Sequence, residues 1–125
     1  MLGKWHEILE KLVAACAPIG FELTSDTDFQ AMLRKEERSA IRLSGDPESY
    51  PAFSLDVFPD YENSKDDRYS VWLLMQVFSD EIGSAHTEPS VDNQLFFLEK
   101  FGSRIFQDHT LYRERYSFLE STPSL

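Results

Sequence analysis

Hydrophobic positions recur along this chain with two different periods. Near the start, Leu2, Trp5, Leu9, Leu12, Val13 and Cys16 fall at helical spacing with Ile8 beside them, while Lys4, Glu7, Glu10 and Lys11 lie mostly elsewhere. The pattern predicts an amphipathic helix over residues 2–16, helped by the Glu7–Lys11 pair one turn apart and stopped by Pro18 and Gly20. Period two appears further on. Residues 40–43 alternate, and Gly45-Asp46-Pro47 stops that run. Residues 53–58 alternate cleanly: Phe53, Leu55 and Val57 to one side, Ser54 and Asp56 to the other, with Pro59 closing the strand. A further short strand fits residues 21–24.

The most apolar stretch is Tyr69-Ser70-Val71-Trp72-Leu73-Leu74-Met75-Gln76-Val77-Phe78. Read with period two, it sets Val71, Leu73, Met75 and Val77 against Trp72, Leu74, Gln76 and Phe78. Both faces are apolar, which predicts a central strand covered on both sides. A buried helical segment fits the same short run, but its aromatic content and flanking polar turns favour the strand.

Two further segments complete the layout. Thr27-Asp28-Phe29-Gln30 has the form of a capping box, with Phe29, Met32 and Leu33 following at helical spacing, so a helix is expected over residues 27–38. A hairpin fits the same residues, with a strand at 29–34, a charged turn at 35–38 and a return at 39–44. Ser90 is a plausible N-cap for a helix over 90–107, in which Leu95, Leu98, Phe101 and Ile105 mark a stripe widened by Phe96, Phe97 and Phe106. Leu111, Tyr112, Tyr116 and Leu119 allow one more helix. The expected fold is α+β: an antiparallel meander of three to four strands, with N-terminal and C-terminal helices packed on it. It forms a single domain over residues 1–120, followed by a flexible tail at 121–125.

At 125 residues the chain holds one core without staples. Its single cysteine, Cys16, forms no internal disulfide and rules out a multi-cysteine zinc site. Val13-Ala14-Ala15-Cys16 has the look of a lipoprotein signal end, but His6, Glu7, Glu10 and Lys11 interrupt the apolar stretch such a signal needs. No run approaches the ~18 apolar residues of a spanning helix. A soluble, cytoplasmic protein is expected.

Charge changes the picture more. Residues 46–99 carry twelve acids and two bases, Lys65 and Arg68, so twelve minus two accounts for the whole net charge of −10. Binding of nucleic acid or an anionic membrane through this half is disfavoured by repulsion, and a basic partner is favoured.

Catalytic signals are missing. His86-Thr87-Glu88 with Pro89 resembles the front of a zinc-deaminase signature, but no Pro-Cys-x-x-Cys follows. Asp60, Glu62, Ser64 and Asp66 alternate like a calcium loop, yet Lys65 stands where its glycine belongs and Val71 where its glutamate belongs. No nucleophile elbow, phosphate loop or dinucleotide fingerprint is present. Cys16 lies on an apolar stripe, and Asp66-Asp67 and Asp80-Glu81 read as solvated acids. No cofactor, metal or catalysis is expected.

What remains is acids with aromatics among them: Tyr50, Asp56, Phe58, Asp60, Tyr61, Glu62, Asp66, Asp67, Asp80 and Glu81, with Tyr69 nearby. Charge steers an encounter with a basic surface, and Tyr or Phe supplies buried contact, so these ten are the expected partner-binding residues.

In size, acidity and layout the chain resembles the small immunity proteins that bacteria make against their own toxin domains, as in contact-dependent inhibition and other polymorphic toxin systems. The acidic run over residues 56–67 and the helix-flanked sheet around residues 69–78 carry the resemblance. It implies a non-catalytic inhibitor that binds a basic toxin domain, often a nuclease. Small acidic secretion chaperones of the type III kind are similar in length and charge and dimerise. An exposed face of Trp72, Leu74 and Phe78 would suit such a dimer. A monomer or a homodimer therefore fits the sequence.

Overall fold

In the computed structural model, which describes residues 1–83 and 87–121, the chain is an α+β fold built on a five-stranded antiparallel sheet in the order β1-β2-β3-β4-β5. Helix α1 (Gly3–Cys16) leads into β1 (Glu22–Asp26), β2 (Gln30–Lys35), β3 (Ser39–Gly45), β4 (Phe53–Phe58) and the two-residue β5 (Tyr69–Ser70). Helices α2 (Val71–Val77), α3 (Ser79–Ile82), α4 (Val91–Gln107) and α5 (Thr110–Ser121) follow. Of the tail expected at residues 121–125, Ser121 is the last residue of α5 and residues 122–125 lie outside the described residues, as does His86.

The register explains which face is buried. Ala31 pairs with Leu43, Leu33 with Ile41, Leu43 with Leu55 and Ile41 with Val57, and all six side chains are buried against the helices. Trp5, Leu9, Leu12 and Cys16 of α1 meet this face, and α4 adds Leu95, Leu98 and Ile105. Trp5 lies over Gly45, where any Cβ would strike its indole ring. The indole N–H donates to the carbonyls of Pro51 and Ala52, both at 3.1 Å, so α1 is tied to the segment that enters β4. Ser90 caps α4 by accepting from the Asn93 amide at 3.2 Å.

The opposite face carries Arg42 across from Asp56 and Ala40 across from Phe58. The connection after β4 returns over it: Tyr61 sits edge-on against Phe58 with ring centres 5.3 Å apart, and the Glu62 amide donates to the Arg38 carbonyl.

Two expectations are corrected. Residues 69–78 are not one strand. Tyr69 and Ser70 pair with Val57 and Asp56, and the chain then turns into α2. Val71, Leu74, Met75 and Phe78 recur at helical spacing and are all buried, whereas Trp72 points out, 52% exposed. Leu73, Leu74, Met75 and Gln76 all favour a helix. Helices α4 and α5 cover a wide arc of α2, so apolar residues on both nominal strand faces find cover: Phe78 meets Phe97, Phe101 and Tyr112. The second correction is at residues 27–38, which form the hairpin and not the helix. Thr27 does bond Gln30 as a cap would, its hydroxyl accepting from the Gln30 amide at 3.2 Å, but its own amide and hydroxyl also donate to the Gln30 carbonyl at 2.8 and 2.9 Å, closing the β1–β2 turn. A threonine reaching three residues ahead serves a tight turn as well as a helix cap.

Candidate functional site

The ten residues expected to bind a partner do not form one patch. Asp56 and Phe58 are buried on β4, and Asp60, Tyr61 and Glu62 follow on the connection that returns over them. Asp67 belongs to a separate cluster against α5: it accepts from the Tyr69 hydroxyl at 2.7 Å and from Arg113 at 2.9 Å, with His109 at 3.4 Å. Asp66, beside it, is exposed. Tyr50 packs edge-on against Trp5 with ring centres 4.9 Å apart and accepts from the Lys4 amide at 2.7 Å, far along the sheet. Asp80 and Glu81 lie on α3, where Glu81 pairs with Arg104 of α4 at 3.2 Å.

Many of these side chains are already engaged within the chain. Asp56 pairs with Arg42 at 3.0 Å and Glu62 with Arg34 at 3.3 Å. The Arg34 and Lys65 cations stand over the Tyr61 ring at 4.7 and 5.2 Å, and Arg42 stands over Phe58 at 5.0 Å. Four of the twelve acids in residues 46–99 (Asp56, Glu62, Asp67 and Glu81) are thus neutralised by arginines from outside that stretch. Twelve minus four leaves eight without an ion pair among the described residues: Asp46, Glu48, Asp60, Asp66, Asp80, Glu88, Asp92 and Glu99. Sequence reasoning singled out only three of these eight.

The groups with chemical potential are arranged for structure. Burial pushes the Cys16 thiol up to about 12, and Glu99 adds to the effect, so the thiol stays protonated and inert. Burial likewise raises the hydroxyls of Tyr69, Tyr112 and Tyr116. Each serves as a hydrogen-bonding strut: Tyr112 donates to the Ile105 carbonyl at 2.9 Å, and Tyr116 accepts from the Ser70 amide at 2.7 Å. Among the described residues, no group of three or more His, Cys, Asp or Glu is placed to hold a metal ion. No helix among them is long and apolar enough to cross a membrane.

A groove of about 510 Å³ lies between the start of β4 and the N-terminal ends of α2 and α4. Pro51, Phe53 and Leu55 line one wall, Trp72 and Pro89 the other, and Gln94 closes it. A second depression of about 500 Å³ shares Ala52, Phe53 and Ser54 with it and is bounded by Asp46. A strand reading of residues 69–78 puts Trp72 on one face with Leu74 and Phe78. Both of those are covered by the chain itself, so Trp72, Leu74 and Phe78 do not form one exposed face. The signal that finds Trp72 is its position out of step with Val71, Leu74, Met75 and Phe78 once the run is read with helical period. Comparisons with protein-family models, curated proteins and solved structures give no match.

Proposed function

We propose that this chain is a non-catalytic binding protein that holds a basic protein partner against its acidic half. The partner class that fits best is a toxin domain with a basic surface, such as one that acts on nucleic acid. The chain would then act in the cytoplasm as an immunity protein, neutralising that toxin. One observation carries the reading. Of the twelve acids in residues 46–99, eight have no ion pair among the described residues, against two bases in the same stretch. A field of that sign raises the encounter rate with a basic surface and repels nucleic acid, membrane surfaces and other acidic proteins. The internally paired acids fix loops, and the unpaired ones are left to act on a partner.

The test is affinity capture from the source organism at low salt, followed by co-expression of the captured protein with and without this chain. A strongly basic protein that is released by salt, and whose toxicity to the host disappears on co-expression, is the expected result. Capture of acidic proteins only, or a basic toxin that remains toxic in the presence of the chain, overturns the proposal.

A further inference from the structure

We propose that the open edge of β4 and the groove beside Trp72 form a strand-docking site for an extended, basic segment of the partner protein, which would join the sheet alongside residues 53–55. This rests on the binding-protein reading above and gives it a location.

The backbone makes the first argument. β3 pairs with β4 along its whole length, from Phe53 to Phe58, but β5 pairs only with Asp56 and Val57. Among the described residues no strand lies beside Phe53, Ser54 and Leu55 on that side. In an antiparallel ladder, alternate residues send N–H and C=O to the same side, so this stretch presents unpaired donors and acceptors to the groove. The opposite edge of the sheet is different. β1 is exposed throughout, carries Glu22 and Asp26 at its ends, and shifts register between Leu23 and Ser25. Charges and a bulge are the devices that stop an edge from pairing. The open part of β4 has neither.

The walls make the second argument. Trp72 is half exposed and faces Pro51, Phe53 and Leu55 across a groove about as large as ordinary ligand pockets. The free edge is long enough for about three residues of extended chain, roughly 10 Å. One wall is held rigid: Trp5 bonds the carbonyls of Pro51 and Ala52, and the Asp46 amide donates to Ala52 at 3.0 Å. A pre-formed wall lowers the entropy lost on binding.

Charge selects the occupant. Every lining residue comes from positions 49–55, 70–72 or 89–94, and there is no Lys or Arg at positions 43–64 or 69–99. Asp46, Glu48, Glu88 and Asp92 lie within a few residues of that lining, all exposed and without ion pairs among the described residues. A segment alternating apolar and basic side chains matches: apolar residues against Trp72, Lys or Arg toward the rim. A second copy of this chain would bring the same acids to the same rim.

The probe is a blocked peptide, Arg-Val-Arg-Val-Arg-Val-Arg, titrated at low salt into isotopically labelled protein with amide shifts as readout. Its companions are the same peptide with the amides of one edge N-methylated and one with Glu in place of Arg. Saturable shifts confined to residues 51–55, 70–73 and 89–94 are expected, weakened at least about tenfold by N-methylation, by Trp72→Ala and by Glu48→Lys with Glu88→Lys. The Glu peptide should leave the spectrum unchanged. These side chains are exposed or at the rim, and circular dichroism checks that each variant folds. Shifts elsewhere in the acidic half, or equal binding by the N-methylated peptide, overturn the docking site and leave the basic-partner reading standing. Failure of the peptide together with failure to capture any basic protein overturns both. A dimer in sedimentation that Trp72→Ala abolishes also overturns it, because the groove would then belong to a second copy.

Discussion

Replacing Leu74 by alanine removes a fully buried side chain from the seam where α2 meets α4 and α5. Its neighbours Val71, Met75 and Phe78 are themselves buried in the core. Leu→Ala at such sites costs about 2–5 kcal/mol, the transfer of the lost methyls plus the cavity left behind. We expect about 3 kcal/mol here, which in a domain of this length corresponds to a fall of roughly 10–15 °C in melting temperature. Trp72→Ala is the internal control. The indole is 52% exposed and alanine is the better helix former, so the expected loss is about 1 kcal/mol. Urea titration followed by circular dichroism gives both values. The contrast separates two geometries: a helix puts residues 72 and 74 on different sides, whereas a strand puts them on one face. Equal losses for the two substitutions would refute the helical placement of α2 and, with it, the groove wall that Trp72 forms.

Three other perturbations follow from particular contacts. Asp56→Ala strands the Arg42 guanidinium, whose Nε is buried without a partner, and should cost about 2–3 kcal/mol, less than a fully buried pair because the side chains keep 12% and 24% exposure. Arg42→Met with Asp56→Leu should recover most of that loss in urea titration, and a double variant no more stable than Asp56→Ala would refute the account. Gly45→Ala drives a methyl into the Trp5 ring and should cost about 1–3 kcal/mol by thermal melting; a neutral effect would show that α1 does not rest on the sheet at that point. The Cys16 thiol should resist a thiol reagent at pH 8 until the protein unfolds, since burial holds its pKa near 12. The same shift sets a sign: the native thiol keeps its proton where the unfolded one loses it, so stability is full below about pH 9 and declines as pH rises toward 12. The buried hydroxyls of Tyr69, Tyr112 and Tyr116 act in the same direction, and stability that increases above pH 9 would contradict this assignment.

Elements whose pattern admits one period are readable from sequence. The stripe of α1, the clean alternation of β4 and the capped stripe of α4 all fall where their side chains predict. The failures are at segments that satisfy two periods at once. Residues 71–78 are apolar on every side, so periodicity does not choose, and the choice is made by α4 and α5 wrapping the segment. Thr27 and Gln30 offer a bond that a helix start and a hairpin turn both use, the Gln30 amide donating to the Thr27 hydroxyl. The candidate site was harder still. A charge count locates the negative half of the chain but not which acids are already paired. Asp56 meets Arg42 only through the β3–β4 register, and Asp67 meets Arg113 from 46 positions away. The acids near the groove that have no ion pair among the described residues, Asp46, Glu48, Glu88 and Asp92, look like ordinary loop and cap residues in sequence. The open edge of β4 exists because β5 is only two residues long, and that length follows from the chain turning into α2 at Val71.

The association rate of the captured basic partner, measured across a range of ionic strength, bears most directly on the claim that the unpaired acids form the working surface. Wild type should associate fast at low salt and slow steeply as salt is raised, since exposed charges are screened over about 10 Å at 0.1 M. The variant combining Asp46→Asn, Glu48→Gln, Glu88→Gln and Asp92→Asn should associate at least about tenfold more slowly at low salt and show a much flatter dependence. An unchanged rate and slope in that variant would contradict the account.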